Sequence, residues 1–297
     1  MTVTFRPSMS NSQPQPDNTA FDFVRALAGE LSQGHVNLPS FPEVAVRVRR
    51  VLSNADSTVE QVFRAVGSEP ALAARLLRIA NSATFNRNGR PVADLRGAIN
   101  RLGHNTVRTA TLSFAMAQIR ENNKLAGLES VLVALWQRTT AVAAFAYVLA
   151  RDRTRVNPDE AMLTGMMHAI GKLYLLIRAA DHPGLFAGLE RYNGMIGEWH
   201  PAIGKAIMEN WEFPDAMSQA VGEQERDDRT DAVAPDLRDI LAIAIVMAHQ
   251  SANSDGLVLA LQNSPAAHRL RLDAEETLNI IRDSLAEVTA LSQALGS

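Results

Sequence analysis

From Phe21 onward, the apolar residues of this chain recur at intervals of three and four positions, and no segment sustains an alternation of apolar and polar residues. A spacing of three and four places side chains on one face of an α-helix, whereas a strand requires a period of two. The sequence therefore predicts an all-α fold, which we expect to be a two-lobed helical bundle.

Residues 1–20 lack this periodicity and are rich in Pro, Ser, Asn and Gln, which is typical of a disordered tail. The polar stretch Glu121-Asn122-Asn123-Lys124 separates two groups of helical patterns. We therefore expect an N-terminal helical lobe over residues 21–123, a second lobe over 124–252, and a C-terminal loop and helix over 253–297.

Helix-start signals mark individual elements. Ser57-Thr58-Val59-Glu60 has the spacing of a capping box, in which serine and glutamate satisfy each other's backbone amides. Asp94 predicts the start of a helix that ends at Gly103. Asn157 predicts the start of a helix that Gly171 interrupts. Further helical patterns lie at about 129–151, 185–194, 199–211, 214–222, 235–252 and 273–294.

Composition excludes several classes of site. The chain of 297 residues has no cysteine, so it can form no disulfide, thiolate nucleophile, zinc finger or iron–sulfur cluster. Glycine-rich nucleotide loops and a Gly-x-Ser-x-Gly elbow are absent from the sequence. The longest apolar runs, such as Ile240 to Ala248, are shorter than the roughly 20 residues that cross a bilayer. The amino terminus carries no secretory signal pattern, and we expect a soluble, cytoplasmic protein without a membrane partner.

Charge is unevenly distributed. Residues 38–121 carry 12 basic and 6 acidic residues, whereas residues 181–297 carry 8 and 19. The two regions are either solvated surfaces that differ without consequence, or lobes that attract each other across an internal interface, or the basic one holds an anion. Because few aromatic residues lie between the basic ones, we do not expect nucleic-acid binding.

One segment has a chemical character: Gly165-Met166-Met167-His168-Ala169-Ile170-Gly171-Lys172. It resembles the His-Asp-x-Gly-Lys helix of the HD superfamily of metal-dependent phosphohydrolases, with Ala169 in place of the aspartate. The wider pattern resembles the HDOD domain, the HD-related output domain of bacterial signalling proteins, over roughly residues 31–252. The segments that carry it are Leu38 to Ala45, Arg75 to Ala83, Ala98 to Gly103, Leu135-Trp136, His200 to Gly204 and Trp211 to Pro214.

The resemblance implies where metal ligands would lie. The first histidine falls near Arg138, the aspartate at Ala169, a later histidine pair near Glu223 and Gln224, and the last aspartate near His249. Only His168 clearly keeps a ligating side chain of the expected kind, and His200 is a candidate for the second ligand. We therefore expect no intact binuclear site and no cofactor. His168 and His249 could instead be core histidines, or His168, His200 and His249 could form a rebuilt zinc site.

The resemblance implies a non-catalytic signalling module that acts through protein–protein contacts. No receiver or cyclic-dinucleotide enzyme fits beside the domain, so we expect signalling partners in trans, and an oligomer is allowed. There are two alternatives. One is a nucleotide sensor that holds a cyclic dinucleotide between Arg138 and Lys172, and the other is an HD-type phosphohydrolase with a variant metal site. As partner or anion surfaces we consider the acidic segment 223–231 and a basic set: Arg47, Arg49, Arg50, Arg75, Arg78 and Lys172.

Overall fold

The computed structural model describes residues 23, 25, 27, 29, 43–52, 54, 57–86, 88–120, 129–179, 189–211, 213–226, 229, 234–250, 253–262 and 264–296. In this part of the chain every regular element is a helix, which confirms the all-α prediction. The helices are α1 (Glu43–Leu52), α2 (Val59–Gly67), α3 (Pro70–Ala80), α4 (Leu95–Arg120), α5 (Glu129–Arg153), α6 (Pro158–Met167), α7 (Ile170–Ala179), α8 (Leu189–Asn210), α9 (Asp215–Gly222), α10 (Leu237–Gln250), α11 (Ser254–Gln262), α12 (Pro265–Leu270) and α13 (Ala274–Gly296).

Helices α5 and α6 form the centre of the molecule. Helix α5 packs against α6, α10 and α13, while α4 joins the α1–α3 group to α6. Alanine-rich spacing in α5 lets its neighbours approach closely: a Cβ on Gly165 of α6 would lie 2.7 Å from the Cα of Ala143. The buried apolar side chains form one cluster that runs from Phe23 to Leu295.

The structure corrects one predicted helix end, at the start of α2, and confirms another, at Gly103. The capping box of α2 begins at Thr58, whose hydroxyl accepts from the Gln61 amide while the Gln61 side chain accepts from the Thr58 amide, so the Ser57 and Glu60 pairing was wrong by one residue. Gly103 has a φ of +70° and breaks the helical run inside α4, as its residue type predicts.

Three other expectations need correction. The helix that starts after Asn157 ends at Met167, and the turn at His168 and Ala169, rather than Gly171, separates α6 from α7. The patterns at 185–194 and 199–211 belong, from Leu189 on, to the single helix α8, which continues through Pro201. Residues 253–272 are not a loop, because α11 and α12 lie there and bury Leu257, Leu261 and Leu270. The tail 1–20 and the expected boundary at 123 lie outside the described residues.

The Asn81-Ser82 segment has a structural role at the end of α3. The Asn81 side chain donates to the carbonyl of Val92 at 2.8 Å and accepts from the Val92 amide at 2.7 Å, while the Ser82 hydroxyl caps the Ile79 carbonyl. Arg101 donates to the carbonyls of Ala80 and Arg90. These bonds fix the connection between α3 and α4.

The C-terminal helix α13 docks on the domain. It packs against α5 and also contacts α3 and α4. Arg151 of α5 donates to Glu287 of α13 at 3.0 Å, and Ser113 of α4 donates to the Leu295 carbonyl. Helix α13 therefore connects the N-terminal helices to α5.

A second charged group anchors α12. Asp239 near the start of α10 is fully buried, and its Oδ1 accepts from Arg269 of α12 at 2.6 Å and from Arg229 at 2.7 Å. Its Oδ2 accepts from the Asp236 amide at 3.1 Å. The paired charges tie α10 to α12 and to the segment before α10. We refer to Asp239, Arg229, Arg269, Asp236 and Arg238 as the Asp239 network.

One helix, Ser130–Arg153 within α5, is long and apolar enough to cross a membrane by length and composition, with a mean hydropathy of 1.4. Uninterrupted apolar runs do not reveal this helix, because polar residues interrupt its apolar stretches. In the structure 56% of its most apolar window is buried, since α5 is the helix around which α6, α10 and α13 pack. The same pattern is typical of the central helix of a globular bundle.

Candidate functional site

Five separate elements carry basic or ionisable residues at or beside the HD-like positions. Helix α5 contributes Arg138, the turn contributes His168, α7 contributes Lys172, α8 contributes His200 and α10 contributes His249; we call these five residues the basic cluster. The charges of these groups contribute to one another's pKa, as described below. Packing of α5 on α6 and α10, and of α7 on α8, holds the elements together.

Gly171 explains how α7 reaches α8 at this place. A Cβ at Gly171 would lie 2.0 Å from the carbonyl oxygen of His200 and 2.9 Å from the amide of Gly204. Both contacts are to backbone, which cannot rotate away. The glycine of the HD-like segment therefore acts as a packing residue that brings Lys172 and His200 onto adjoining helices.

His168 is bonded as a core histidine. Its side chain is 4% exposed, and its Nδ1 lies 2.6 Å from the carbonyl oxygen of Gly165. Because a carbonyl only accepts, this bond assigns the proton to Nδ1. The His168 carbonyl in turn accepts from Gln224 at 3.0 Å. Burial lowers the pKa of His168 to about 3, with smaller contributions from Lys172, His200 and His249 and an opposing one from the Gly165 bond. The ring is neutral at physiological pH.

His200 is completely buried on α8. Its Nε2 lies 2.7 Å from Oε1 of Glu225, while its Nδ1 is buried without a hydrogen-bond partner among the described residues. Burial, followed by the Lys172 charge, lowers the pKa of His200. The resemblance places the family's histidine pair at the neighbouring Glu223 and Gln224 and therefore does not predict the contact of Glu225 with His200.

Three positive or ionisable residues of the basic cluster are more accessible than its two buried histidines. Arg138 and His249 are exposed and Lys172 is half-buried. Burial lowers the pKa of Lys172, the Glu225 carboxylate opposes that effect, and Arg138 lowers the pKa further. Burial, Arg138 and Lys172 together lower the pKa of His249. The local field is therefore positive, with Glu225 as its acidic neighbour.

The residues present do not fit a metal ion of the kind that HD phosphohydrolases use. Ala169 is fully buried and supplies no carboxylate, and Arg138 places a cation in the same region. Throughout the described residues, no three side chains of His, Asp or Glu are grouped so that they could hold a metal. Among the described residues, His168, His200 and His249 are not grouped as a three-imidazole zinc site.

The structure distributes the other predicted site residues as follows. Gln224 joins the basic cluster through the His168 carbonyl, whereas Glu223 accepts from Arg238 at 2.9 Å and belongs beside the Asp239 network. Arg75 is not part of an exposed surface: it is 4% exposed, donates to Ser113 and lies over the ring of Phe114. This correction arises because α4 covers that side of α3.

The remaining basic candidates lie on α1 and α3. Arg50 and Arg78 are exposed, and Arg47 is half-buried and donates to Ser68 at 2.7 Å. The side chain of Arg49 and the residues 227, 228, 230 and 231 of the acidic segment lie outside the described part of the structure.

A separate surface cavity of about 400 Å³ lies at the opposite ends of α6 and α10. Residues of both charges line it, among them Arg155, Glu160, Asp236 and Arg238. None of the basic-cluster residues belongs to it.

The family model of the HDOD domain matches residues 38–226 of this sequence, which is more than half of the chain. The chain belongs to the HDOD domain family. The matched range includes four members of the basic cluster and ends before His249, so the HDOD resemblance expected from the sequence is confirmed.

Solved structures share this HDOD fold. A protein of Shewanella amazonensis SB2B, provisionally named a metal-dependent phosphohydrolase, is 24% identical, with a TM-score of 0.70 over 94% of this chain and 99% of that one. A protein of Marinobacter aquaeolei VT8, provisionally named a signal transduction protein, is 20% identical, with a TM-score of 0.61 over 97% of this chain and 68% of that one. At these identities the likeness is one of fold.

A curated relative, an uncharacterized protein of Treponema pallidum (strain Nichols), is 20% identical over 212 residues. The match covers 66% of this chain and 39% of the relative. The chain thus spans well under half of that longer protein.

Proposed function

We propose that this HDOD protein is a non-catalytic, cytoplasmic regulatory module that acts by binding signalling proteins. The observation that carries the proposal is the side-chain content of the basic cluster and of the adjoining Ala169: a buried alanine, two neutral buried imidazoles and the cations Arg138 and Lys172. Metal-assisted hydrolysis needs several anionic or imidazole ligands around a cation and an activated water. A region that already holds two fixed positive charges opposes such an ion.

The buried hydrogen bonds support a structural role for what remains of the HD-like segment. The Nδ1 of His168 is held by the Gly165 carbonyl, and the backbone of His168 is held by Gln224. Gly165 and Gly171 allow the close helix contacts described above. His168, Gly165 and Gly171 therefore each have a packing reason that does not require catalysis.

A turnover assay tests the catalytic half of this proposal. The full chain is incubated with Mn²⁺, Fe²⁺ or Zn²⁺ and either bis(p-nitrophenyl) phosphate or a cyclic dinucleotide, and we expect no hydrolysis above the protein-free blank. His268 is exposed on α12, so His268→Ala is the matched control for His168→Ala. Turnover that His168→Ala abolishes and His268→Ala preserves would contradict the proposal.

Charge reversal tests the partner-binding half. We expect the partner surface at exposed basic residues of α1 and α3, which Arg50→Glu with Arg78→Glu reverses, or at the acidic segment, which Asp227→Lys with Asp228→Lys reverses. Loss of affinity for a co-purifying signalling protein in one double variant, but not in Arg155→Glu, is the expected result. Unchanged binding of every partner by both double variants would overturn it.

A further inference from the structure

The surface cavity of about 400 Å³ beside α6, α9 and α10 has no role in the proposed function. Its wall is formed by the segment just before α6, by Glu160 in the first turn of α6, by α9 and by the start of α10. The volume lies within the range of roughly 300–1,000 Å³ that is typical of small-ligand sites. The chemistry of the wall therefore decides which class of ligand fits.

Two of the four charged residues in the wall are paired with each other. Arg238 donates to Asp236 at 2.8 Å, and Asp236 also accepts from Arg229 at 3.0 Å. Arg238 donates in addition to Glu223 at 2.9 Å. Arg238 and Asp236 belong to the Asp239 network, so their charges are already neutralised within the protein.

The other two charged residues of the wall, Arg155 and Glu160, have no such partner. Neither side chain forms a hydrogen bond or an ion pair with another described residue, and the two do not pair with each other. The neighbouring carboxylate differs, because Asp159 accepts from Thr106 of α4 at 3.0 Å. One cation and one carboxylate that are unpaired within the described part of the chain thus line a single cavity.

We infer that this cavity binds a small zwitterion of the α-amino-acid class, with the ligand's carboxylate on Arg155 and its ammonium group on Glu160. The planar pair of donors on an arginine matches a carboxylate, and a glutamate carboxylate accepts from an ammonium group. A cyclic dinucleotide has no ammonium group and would leave Glu160 unpaired. The inference goes beyond the proposed function and does not depend on it.

The uncharged part of the wall fits the remainder of such a ligand. Val156, Ala216, Pro235 and Leu237 supply apolar surface, and Leu237 is only 7% exposed. The amide of Gln219 lines the cavity and forms no side-chain hydrogen bond with another described residue. Small-ligand sites commonly combine apolar surface with a few polar groups that fix orientation. An amino acid with an apolar side chain, such as leucine, is therefore the appropriate probe.

The test is calorimetric titration of the full chain with L-leucine and, separately, with cyclic di-GMP. We expect one-to-one binding of L-leucine with a Kd below about 1 mM, which two charged contacts and a partly buried side chain can supply. Cyclic di-GMP should show no binding that depends on Arg155.

Two analogues of leucine test each contact separately. L-leucinamide lacks the carboxylate, and 4-methylpentanoate lacks the ammonium group. Each should bind the parent protein roughly tenfold more weakly than L-leucine, because each loses one charged hydrogen bond. Arg155→Gln should bind L-leucine and L-leucinamide equally, and Glu160→Gln should bind L-leucine and 4-methylpentanoate equally. This pattern assigns each ligand group to one residue, which a general loss of structure would not produce.

Control variants remove the same charges outside the cavity. Arg226 is exposed shortly after α9 and Glu198 is exposed on α8, and neither lines the cavity. Arg226→Gln and Glu198→Gln should change the Kd for L-leucine less than about twofold. Ala216 is exposed on α9 within the wall, so Ala216→Trp should fill the cavity without changing any charge and should abolish binding of L-leucine.

Four results would each overturn the inference. The first is the absence of L-leucine binding below about 1 mM, and the second is equal binding of L-leucine and L-leucinamide by the parent protein. The third is an equal loss of affinity in Arg155→Gln and Arg226→Gln. The fourth is binding of cyclic di-GMP that Arg155→Gln weakens, which would assign the cavity to an anion. The proposed function is checked separately by its turnover and charge-reversal tests.

Discussion

The charged side chains at the two ends of α10 differ in whether they form ion pairs with described residues. Near its start, Asp239 is fully buried and accepts from Arg229 and Arg269, so the charges are paired within 2.7 Å. Near its end, the charges of Arg138 and Lys172 lower the pKa of His249, and Arg138 also lowers the pKa of Lys172. The paired end stabilises the contact with α12, whereas at the other end no described carboxylate forms an ion pair with Arg138 or His249.

The difference separates a structural network from a candidate site. Removal of one partner from a buried ion pair leaves an uncompensated charge and destabilises the fold. Removal of a cation from a group of like charges relieves repulsion and should stabilise the unliganded protein. Substitutions at the two ends of α10 should therefore change the free energy of unfolding in opposite directions.

The largest effect is expected at the paired end. Asp239→Asn should lower the free energy of unfolding by about 4 kcal/mol, because Arg229 and Arg269 would lose their shared carboxylate. Urea denaturation followed by circular dichroism measures this change. Asp283→Asn, at an exposed position of α13, is the control and should change stability by less than about 0.5 kcal/mol. Equal effects of the two substitutions would show that the Asp239 network is not structural.

The second-largest change in the free energy of unfolding is expected at Gly171, between His168 and Lys172. Gly171→Ala places a Cβ 2.0 Å from the His200 carbonyl and should lower the free energy of unfolding by about 3 kcal/mol, since α7 must move away from α8. Gly197 of α8 has no atom within 4 Å of a built Cβ, so Gly197→Ala should stabilise by about 0.5 kcal/mol. A Gly171→Ala protein as stable as the parent would rule out the packing role of this glycine.

A smaller change in the free energy of unfolding is expected when the pH is lowered. His168 has its pKa lowered to about 3 by burial, so the unfolded chain binds a proton that the folded chain does not take up between about pH 6.5 and 3. Stability from this residue is present above pH 6.5 and is lost as the pH falls, by about 2 kcal/mol between pH 7 and pH 5.

Urea denaturation at both pH values, applied to His168→Gln, checks this prediction. The variant should lose about 2 kcal/mol less stability between pH 7 and pH 5 than the parent. His268→Gln, at an exposed position, should keep the pH dependence of the parent protein. If His168→Gln keeps that dependence as well, His168 is not the neutral buried histidine described above.

The smallest effect is expected at the unpaired end. In phosphate-free, low-salt buffer, Arg138→Gln should raise the free energy of unfolding by roughly 0.3 kcal/mol, because Lys172 and His249 lose a repulsive neighbour. The gain should disappear in about 0.5 M NaCl, where charges are screened over a few ångströms. Destabilisation by Arg138→Gln would mean that this arginine has a stabilising partner, which would remove the contrast between the two ends of α10.

Helix content followed from the sequence because apolar spacing and caps are local properties. Gly103 and Asn157 behaved as their residue types predict, and Asn157 accepts from the Asp159 amide at 2.9 Å. The short helices α11 and α12 were missed, although Ser264 followed by Pro265 is a start signal, since each helix has too few turns for a clear period. Their stability comes from tertiary contacts of Leu257 and Leu261 rather than from local propensity.

The candidate site was only partly predictable for a different reason. Motif order indicated that Arg138, His168, His200 and His249 fall near one place in the fold, and they lie on α5, the α6–α7 turn, α8 and α10. It could not indicate that Glu225 rather than Glu223 turns toward His200, because residues two positions apart just after α9 differ only in direction. Nor could it show that α4 buries Arg75, which depends on how helices pack.

The most direct test of the central claim is metal content. The purified full chain is exposed briefly to Mn²⁺, Fe²⁺ and Zn²⁺, passed through a desalting column, and analysed by inductively coupled plasma mass spectrometry beside His168→Ala and His268→Ala. We expect far less than one metal ion per chain in all three proteins. One or two tightly held ions per chain that only His168→Ala loses would contradict a metal-free basic cluster and indicate a rebuilt HD-type centre.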